Sequence, residues 1–292
     1  MVGALWSNGP LLLAICMLSW AGSVVTGRAA APLVPPSLFT LLRWSGALLI
    51  VAPLAWPHLR KDGPELRRRW WVVGLLAFLG VDAYNNLVYR GLHSTTAVNA
   101  LLLNSATPLF VLVVVFFMFG DRPTLRQMAA ILVSFAGVML IAAEGSFEML
   151  RRLSFNTGDV LVTLAVLAYA IYSGLLRLRP PVHPFSLLAA SFAVGVVLLV
   201  PLAAHEYAEG ARLQATPLAI FSILYACVFP AFLSYLFFNR GVELIGPTRA
   251  GQYIHLMPVF GILLAMGFLG EALHPYHGVG IALIATGLWL AR

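Results

Sequence analysis

YRGLHSTTAVNALLLNSATPLFVLVVVFFMFGD, residues 89–121, and NRGVELIGPTRAGQYIHLMPVFGILLAMGFLGE, residues 239–271, decide how this chain folds. Each opens on Arg-Gly, at Arg90-Gly91 and Arg240-Gly241, then sets Ala100 against Ala250, Pro108 against Pro258 and Phe110 against Phe260. Each closes on Gly and a carboxylate, Gly120-Asp121 and Gly270-Glu271, and further on Gly137 matches Gly287. From Arg90 to Leu140, nine of 51 positions are identical at an offset of 150 residues, without a gap. In so biased a composition the count decides little. The residue types decide more, because a mid-span Pro and a carboxylate after Gly recur in the same order. At an offset of 149, Leu18-Ser19-Trp20-Ala21 also falls on Leu167-Ala168-Tyr169-Ala170.

Composition says where such a repeat lives. The 292 residues are 61% hydrophobic and 10% charged, with a mean hydropathy of +0.91. Soluble domains are about 45–50% apolar and about 25% charged, so a water-soluble, disordered or disulfide-stapled chain is excluded. This is an all-α integral membrane protein. Apolar runs bounded by charge, Pro and Gly predict ten transmembrane helices, at 9–30, 36–56, 70–89, 95–119, 124–143, 158–177, 183–205, 216–239, 248–269 and 275–291. At about 20 residues per span, roughly 90 residues remain for loops and ends, too few for a folded extramembrane domain. The first run ends in Arg28-Ala29-Ala30-Ala31, which resembles a cleavage site, but no Lys or Arg precedes it, so it is read as a retained helix. Cys16 and Cys227 lie in apolar runs without metal or redox spacing.

The charge of +7 does not indicate nucleic acid, because the basic residues are dispersed between apolar runs. They read as topology markers. Twelve of the eighteen Lys and Arg residues fall on the side of the N-terminus, five on the other, and Arg43 inside the second span. Basic loops stay cytoplasmic, so both termini are expected in the cytoplasm. Trp56, Trp70 and Trp71 flank the basic stretch as interfacial anchors.

The repeat divides the chain into residues 1–150 and 151–292, joined near Arg151 to Asn156. Five spans per half is an odd number, so the second half enters the membrane with opposite orientation. Inverted-topology repeats build many secondary transporters, with the substrate at the midplane between the halves and alternating access as the halves rock.

The runs Tyr89-Arg-Gly-Leu…Ala100…Pro108-Leu-Phe…Gly120-Asp121…Gly137 and Asn239-Arg-Gly-Val…Ala250…Pro258-Val-Phe…Gly270-Glu271…Gly287 resemble two EamA-type domains, the architecture of the drug/metabolite transporter superfamily. Within it the chain is most similar to YddG-type exporters. That resemblance implies a bacterial inner-membrane exporter of amino acids, aromatic ones included. Asp121 departs from the glutamate usual after Gly, which Glu271 keeps. The first helix also lacks the embedded glutamate of the small four-helix multidrug members, so their proton coupling is not carried over.

Candidate functional residues follow from the cost of polarity in lipid. Pro108 and Pro258 remove backbone bonds to the carbonyls of Asn104 and Ile254 and are candidate matched hinges, against ordinary packing kinks. Asp82 is the one carboxylate well inside a span, with Arg43, Arg90, Asn85 or Asn86 as possible partners; a coupling site and a structural pair both remain open. The candidate substrate-binding residues are Trp20, Phe78, Asp82, Tyr84, Asn85, Asn99, Asn104, Tyr169, Tyr235, Gln252, Tyr253 and His255. Together they offer the acceptors, donors and apolar floor that a zwitterion needs. Each could instead bond only a neighbouring helix.

No cofactor and no metal are expected. Glu271, His274 and His277 are interrupted by Pro275 and lack a fourth ligand. Gly278, Ala282 and Thr286 read as close helix packing rather than a dimer interface, so a monomer in the lipid bilayer is expected. A broad drug or metabolite exporter, or a facilitated exchanger, remains the rival reading; a membrane enzyme would need catalytic groups clustered at one interface.

Overall fold

The computed structural model describes residues 5–91, 94–95, 100, 103–143, 145–146, 148, 156–269 and 274–291. Asn99, Glu271, Arg151 and Arg152 lie outside these.

The described residues are helical, with no strand among them. In chain order the helices are α1 (Gly9–Ala30), α2 (Pro36–Arg68), α3 (Trp70–Gly91), α4 (Thr107–Phe119), α5 (Leu125–Ala142), α6 (Thr157–Leu175), α7 (Pro184–Ala208), α8 (Pro217–Ile245), α9 and α10 (Pro275–Leu290). Helix α9 is made of Pro247–Gln252, a 3-10 turn at Tyr253–His255, and Leu256–Leu269. Six helices (α2, α3, α5, α6, α7 and α8) are long and apolar enough to cross a membrane. Shorter apolar stretches are Gly9–Ser23, Thr107–Phe119 and Pro275–Leu290.

Local chemistry fixes the ends. Proline stands in the first turn of α2, α4, α7, α8, α9 and α10, where its missing N–H costs nothing. Reciprocal capping boxes start α5, between Thr124 and Gln127, and α6, between Asn156 and Asp159. Gly120 ends α4 at φ 72°, and Gly246 at φ 83° turns the chain from α8 directly into α9, both positions where a side chain would be strained.

One difference from the sequence expectation is the basic stretch after residue 56. It is helical, and α2 runs to Arg68 despite Pro53, Pro57 and Pro64. This extension is anchored, because Asp62 accepts from the backbone N–H of His183 at 3.0 Å and Glu65 pairs with Arg68 and Arg69.

The main helix contacts come in matched pairs. Helix α1 packs on α8 as α6 packs on α3, and α4 packs on α6 as α9 packs on α1. Helix α2 packs on α8 as α7 packs on α3, and two more contacts, α5 with α10 and α2 with α7, join equivalent helices of the two halves. A Cβ at Gly137 would lie 2.6 Å from the Gly280 carbonyl, and one at Gly287 would lie 2.5 Å from the Ala130 carbonyl. Under the 150-residue offset these are one contact seen from both sides. At the other pair, Glu206 near the end of α7 accepts from the N–H groups of Ser37 (2.9 Å) and Leu38 (3.3 Å) at the start of α2, while Asp62 near the end of α2 caps the start of α7. Each helix supplies the carboxylate that its antiparallel partner's N-terminus favours.

The packed face of α10 corrects an expectation. Gly280, Ile284 and Gly287 are buried against α5, whereas Gly278, Ala282 and Thr286 are exposed. The stripe at spacing four therefore points out of the bundle, because close approach is set by the backbone contacts of Gly137 and Gly280.

Candidate functional site

The site grows from two interruptions. In the middle of α3, Ala77–Ala83 is π-helical, and in α8 so is Cys227–Leu233. The two segments correspond residue for residue at the 150-residue offset, with Gly80 matching Pro230. Proline lacks the N–H that would continue the ladder, and a π turn carries one residue more than an α turn, so backbone carbonyls are released inside the bundle. Side chains satisfy them. The Tyr235 hydroxyl and the Asn85 amide (3.1 Å) donate to the Gly80 carbonyl, and Asn85 also reaches Val81 at 3.0 Å. The Pro230 carbonyl takes the Trp20 indole N–H at 3.0 Å and an Arg43 guanidinium N–H at 3.3 Å, and Phe229 takes the Ser234 hydroxyl at 2.9 Å. Gly80 cannot be larger, because a Cβ there would stand 2.5 Å from the Tyr172 ring.

These donors close an aromatic cluster at the centre of the molecule. Trp20 and Tyr169, equivalent positions of the two halves, meet edge to face at 5.6 Å. Tyr84 lies 4.9 Å from Tyr169, Tyr172 5.4 Å from Tyr169, and Phe238 5.5 Å from Trp20. Trp44 of α2 and Phe192 of α7, each eight residues after the proline that opens its helix, meet at 4.8 Å, and Tyr235 packs on Trp44 at the same distance. Such contacts contribute about 0.5–1.5 kcal/mol each beyond area burial. The cluster also holds unused polarity: the Tyr169 hydroxyl, the Trp44 indole N–H and Nε of Arg43 are buried with no hydrogen-bond partner among the described residues.

A cavity of about 230 Å³ leads toward this cluster from the side that holds the N-terminus, lined by Trp6, Arg179, Leu188, Asn239, Arg240 and Glu243 among others. Beneath it a void of about 10 Å³ is bounded by Tyr172, Phe192 and Tyr235, sharing Leu187, Leu188 and Asn239 with the outer cavity. Asn239 stands at the junction, its carbonyl oxygen taking the Tyr172 hydroxyl at 2.6 Å. A larger cavity of about 410 Å³, lined by Arg122, Arg177 and Arg249, lies apart at the turns from α4 to α5 and from α8 to α9.

The sequence-derived candidates separate on this geometry. Trp20, Tyr84, Tyr169 and Tyr235 form the cluster, and Asn104 is tied to it by accepting from Tyr84 at 3.0 Å. Asn85 is spent on the α3 backbone. Phe78 is not brought in; its ring is 48% exposed on the outer face of α3. Gln252 is buried with both amide atoms unpartnered among the described residues, and Tyr253 packs half-buried against the core. His255 pins three helices, since its Nε2 lies 2.7 Å from the Ser105 carbonyl of the α4 region and its Nδ1 2.6 Å from the Ser134 hydroxyl of α5. A carbonyl only accepts, so Nε2 carries a hydrogen. Pro108 and Pro258 both follow a break: a turn at Ala106, and the 3-10 turn Tyr253–His255. The Asn104 carbonyl that Pro108 leaves free takes the Thr107 hydroxyl at 2.5 Å.

Asp82 is buried, and its partner is Asn86, whose amide donates to Oδ1 at 2.6 Å. Arg43 is directed elsewhere, to the Tyr89 hydroxyl at 3.1 Å and to Pro230. From Asn86 the chain of contacts continues through the Ser37 hydroxyl (3.2 Å) to Glu206 (2.6 Å), so a buried carboxylate of α3 is linked to one at the far rim. Sequence reasoning missed Tyr172, this link and the π segments. The pairing of two helix-breaking residues, Gly80 and Pro230, at the repeat offset was a signal for the last of these.

Comparisons with known proteins place the chain. An uncharacterized transporter of Archaeoglobus fulgidus is 26% identical over 290 residues, covering 97% of each chain. The uncharacterized transporter YyaM of Bacillus subtilis is 25% identical over 229 residues, covering 78% of this chain and 74% of that one. A protein of Streptantibioticus cattleyicolor named a probable terminal-alkyne amino-acid exporter is 25% identical over 225 residues, covering 75% and 72%. A crystal structure matches with a TM-score of 0.77 at 19% identity, covering 98% of this chain and 96% of that one, which shows a shared fold. The EamA-like transporter family matches twice, at residues 7–143 and 156–292, one copy for each half; the chain belongs to that family of transporters and is not an enzyme.

Proposed function

We propose that the protein is a bacterial inner-membrane exporter of amino acids, aromatic ones included, and of related small metabolites, working by alternating access. The single observation that carries this reading is the aromatic cluster, in which Trp20 and Tyr169, equivalent residues of the two halves, meet and which a cavity approaches from the side of the N-terminus. In the proposed arrangement ten helices cross the membrane as two inverted repeats, residues 1–150 and 151–292, with both termini in the cytoplasm. The matched helix pairs support a two-fold relation between the halves, and the excess of Arg and Lys on the N-terminal side supports the orientation.

The substrate site of this reading is the space around Trp20, Tyr84, Tyr169 and Tyr235. Aromatic faces provide the apolar floor, and the free Tyr169 hydroxyl provides a polar contact without fixed charge. The breaks before Pro108 and Pro258 serve as matched hinges. The name of the Streptantibioticus relative favours amino acids over a broad drug range.

Counterflow of labelled amino acids in proteoliposomes, with and without a pH gradient, tests the proposal. Exchange of phenylalanine or tyrosine is the expected result. Movement of none of the amino acids contradicts the substrate, and comparing the two conditions reads whether exchange is coupled to protons.

A further inference from the structure

The mouth of the 230 Å³ cavity carries charges that the aromatic cluster does not need. Glu243 of α8 lies between two guanidiniums, with Nη2 of Arg179 3.0 Å from one carboxylate oxygen and Nη1 of Arg240 2.8 Å from the other. Arg240 is held from behind, because its Nε donates to the Trp6 carbonyl at 3.2 Å and the Trp6 ring centre lies 5.4 Å from its guanidinium carbon. Two cations stand against one anion, so the mouth has an excess positive charge. Each guanidinium has five N–H donors in a fixed fork, more than Glu243 engages. The side chains are 22–38% exposed, which keeps them wet enough to exchange partners while low-dielectric walls concentrate their field. Directly below lie Asn239 and the apolar surface of Leu187, Leu188 and Leu236.

We propose that Arg179, Arg240 and Glu243 form a loading site for solutes bearing a carboxylate next to an apolar group. The carboxylate takes the unused N–H groups of the two arginines, which match it in a planar, bidentate way. The ammonium of a zwitterion faces Glu243, and the apolar part rests on the leucines beside Asn239. The site thus admits zwitterions and monoanions and disfavours cations, as an exporter of cationic drugs would not. This inference rests on the transport reading and names its substrate class.

The test is equilibrium binding to the full-length protein in nanodiscs, with four phenyl compounds of different charge as probes: phenylalanine, phenylacetate, phenylalaninamide and phenethylamine. Phenylalanine and phenylacetate should bind at least tenfold tighter than the two cations. Arg179→Gln and Arg240→Gln should each erase most of that ratio, and Glu243→Gln, which frees both guanidiniums, should tighten phenylacetate several-fold. Tighter binding of the cations overturns the proposal. So does an unchanged ratio in all three variants with a lowered melting temperature, the mark of an ion network that only ties the α6–α7 turn to α8. If either arginine variant does not fold, the wild-type ratio and Glu243→Gln decide. Wild-type protein that binds neither carboxylate overturns the loading site even if other solutes exchange in counterflow, whereas carboxylate binding without any exchange contradicts the transport reading alone.

Discussion

In α3 the π segment turns on Gly80, whose carbonyl is repaired from within its own helix by Asn85, with Tyr235 added from α8; in α8 it turns on Pro230, whose carbonyl is repaired from α1 and α2 by Trp20 and Arg43, while Ser234 of α8 itself repairs Phe229. One turn or two beyond each break stand Tyr89 and Asn239, equivalent in the repeat. Tyr89 is held by Arg43 and packs half-buried on Phe39 at 5.4 Å. Asn239 borders two cavities. The same contrast holds for Val34 and Val182, at equivalent ends of the α1–α2 and α6–α7 connections: Val34 is buried, and Val182 lines the open cavity. The backbone framework is two-fold and its side-chain dressing is not: among the described residues, Asn239 and Val182 border a cavity, whereas the equivalent Tyr89 and Val34 are packed against side chains. In the transport reading, that is one of two access states.

The largest expected effect tests whether the framework is symmetric. Gly137→Leu and Gly287→Leu each drive a side chain into a backbone carbonyl, and each should cost at least about 1–3 kcal/mol, read as a lowered melting temperature in detergent. A large loss for one and none for the other would break the equivalence of the halves. Next comes the cavity. Asn239→Tyr installs there the residue that stands at the equivalent position of the first half, and counterflow should fall at least about tenfold in protein that still folds; undiminished exchange would remove Asn239 from the route. Asp82→Asn follows. Because its partner Asn86 is uncharged, folded yield should survive while transport falls several-fold; lost protein with normal specific transport would make Asp82 structural. The smallest effects are at the repaired carbonyls. Tyr235→Phe and Trp20→Phe each leave a second donor in place, so each should cost about 0.5–1.5 kcal/mol, and adding Asn85→Leu to Tyr235→Phe should raise that to about 1–3 kcal/mol.

Much of the scaffold was legible because bilayer-length apolar runs and proline starts are local signals: the expected 124–143 run appears as Leu125–Ala142, and 70–89 as Trp70–Gly91. The helical tail of α2 was not, since Pro57, Pro64 and a basic cluster read as loop, and only contact with His183 reveals otherwise. Within the site, Trp20 and Tyr169 were found because, at an offset of 149, both are aromatic between a matching Leu and a matching Ala. Asp82's partner stayed open in the sequence among Arg43, Arg90, Asn85 and Asn86, because the directions of side chains depend on how α2, α3 and α8 cross; the structure gives Asn86. Phe78 shows the same limit, for one residue of register in a π segment decides whether a ring faces the cluster or the exterior.

The central claim is that the two ends exchange roles during transport. It is tested most directly by thiol labelling of Val182→Cys and Val34→Cys, in a background where Cys16 and Cys227 are replaced by alanine, using a charged methanethiosulfonate reagent with and without a transported amino acid. Without substrate the cysteine at 182 should react quickly and the one at 34 slowly; with saturating substrate the first rate should fall and the second rise. Rates unaltered by substrate in protein that still exchanges it, or faster reaction at 34 from the outset, would contradict the account.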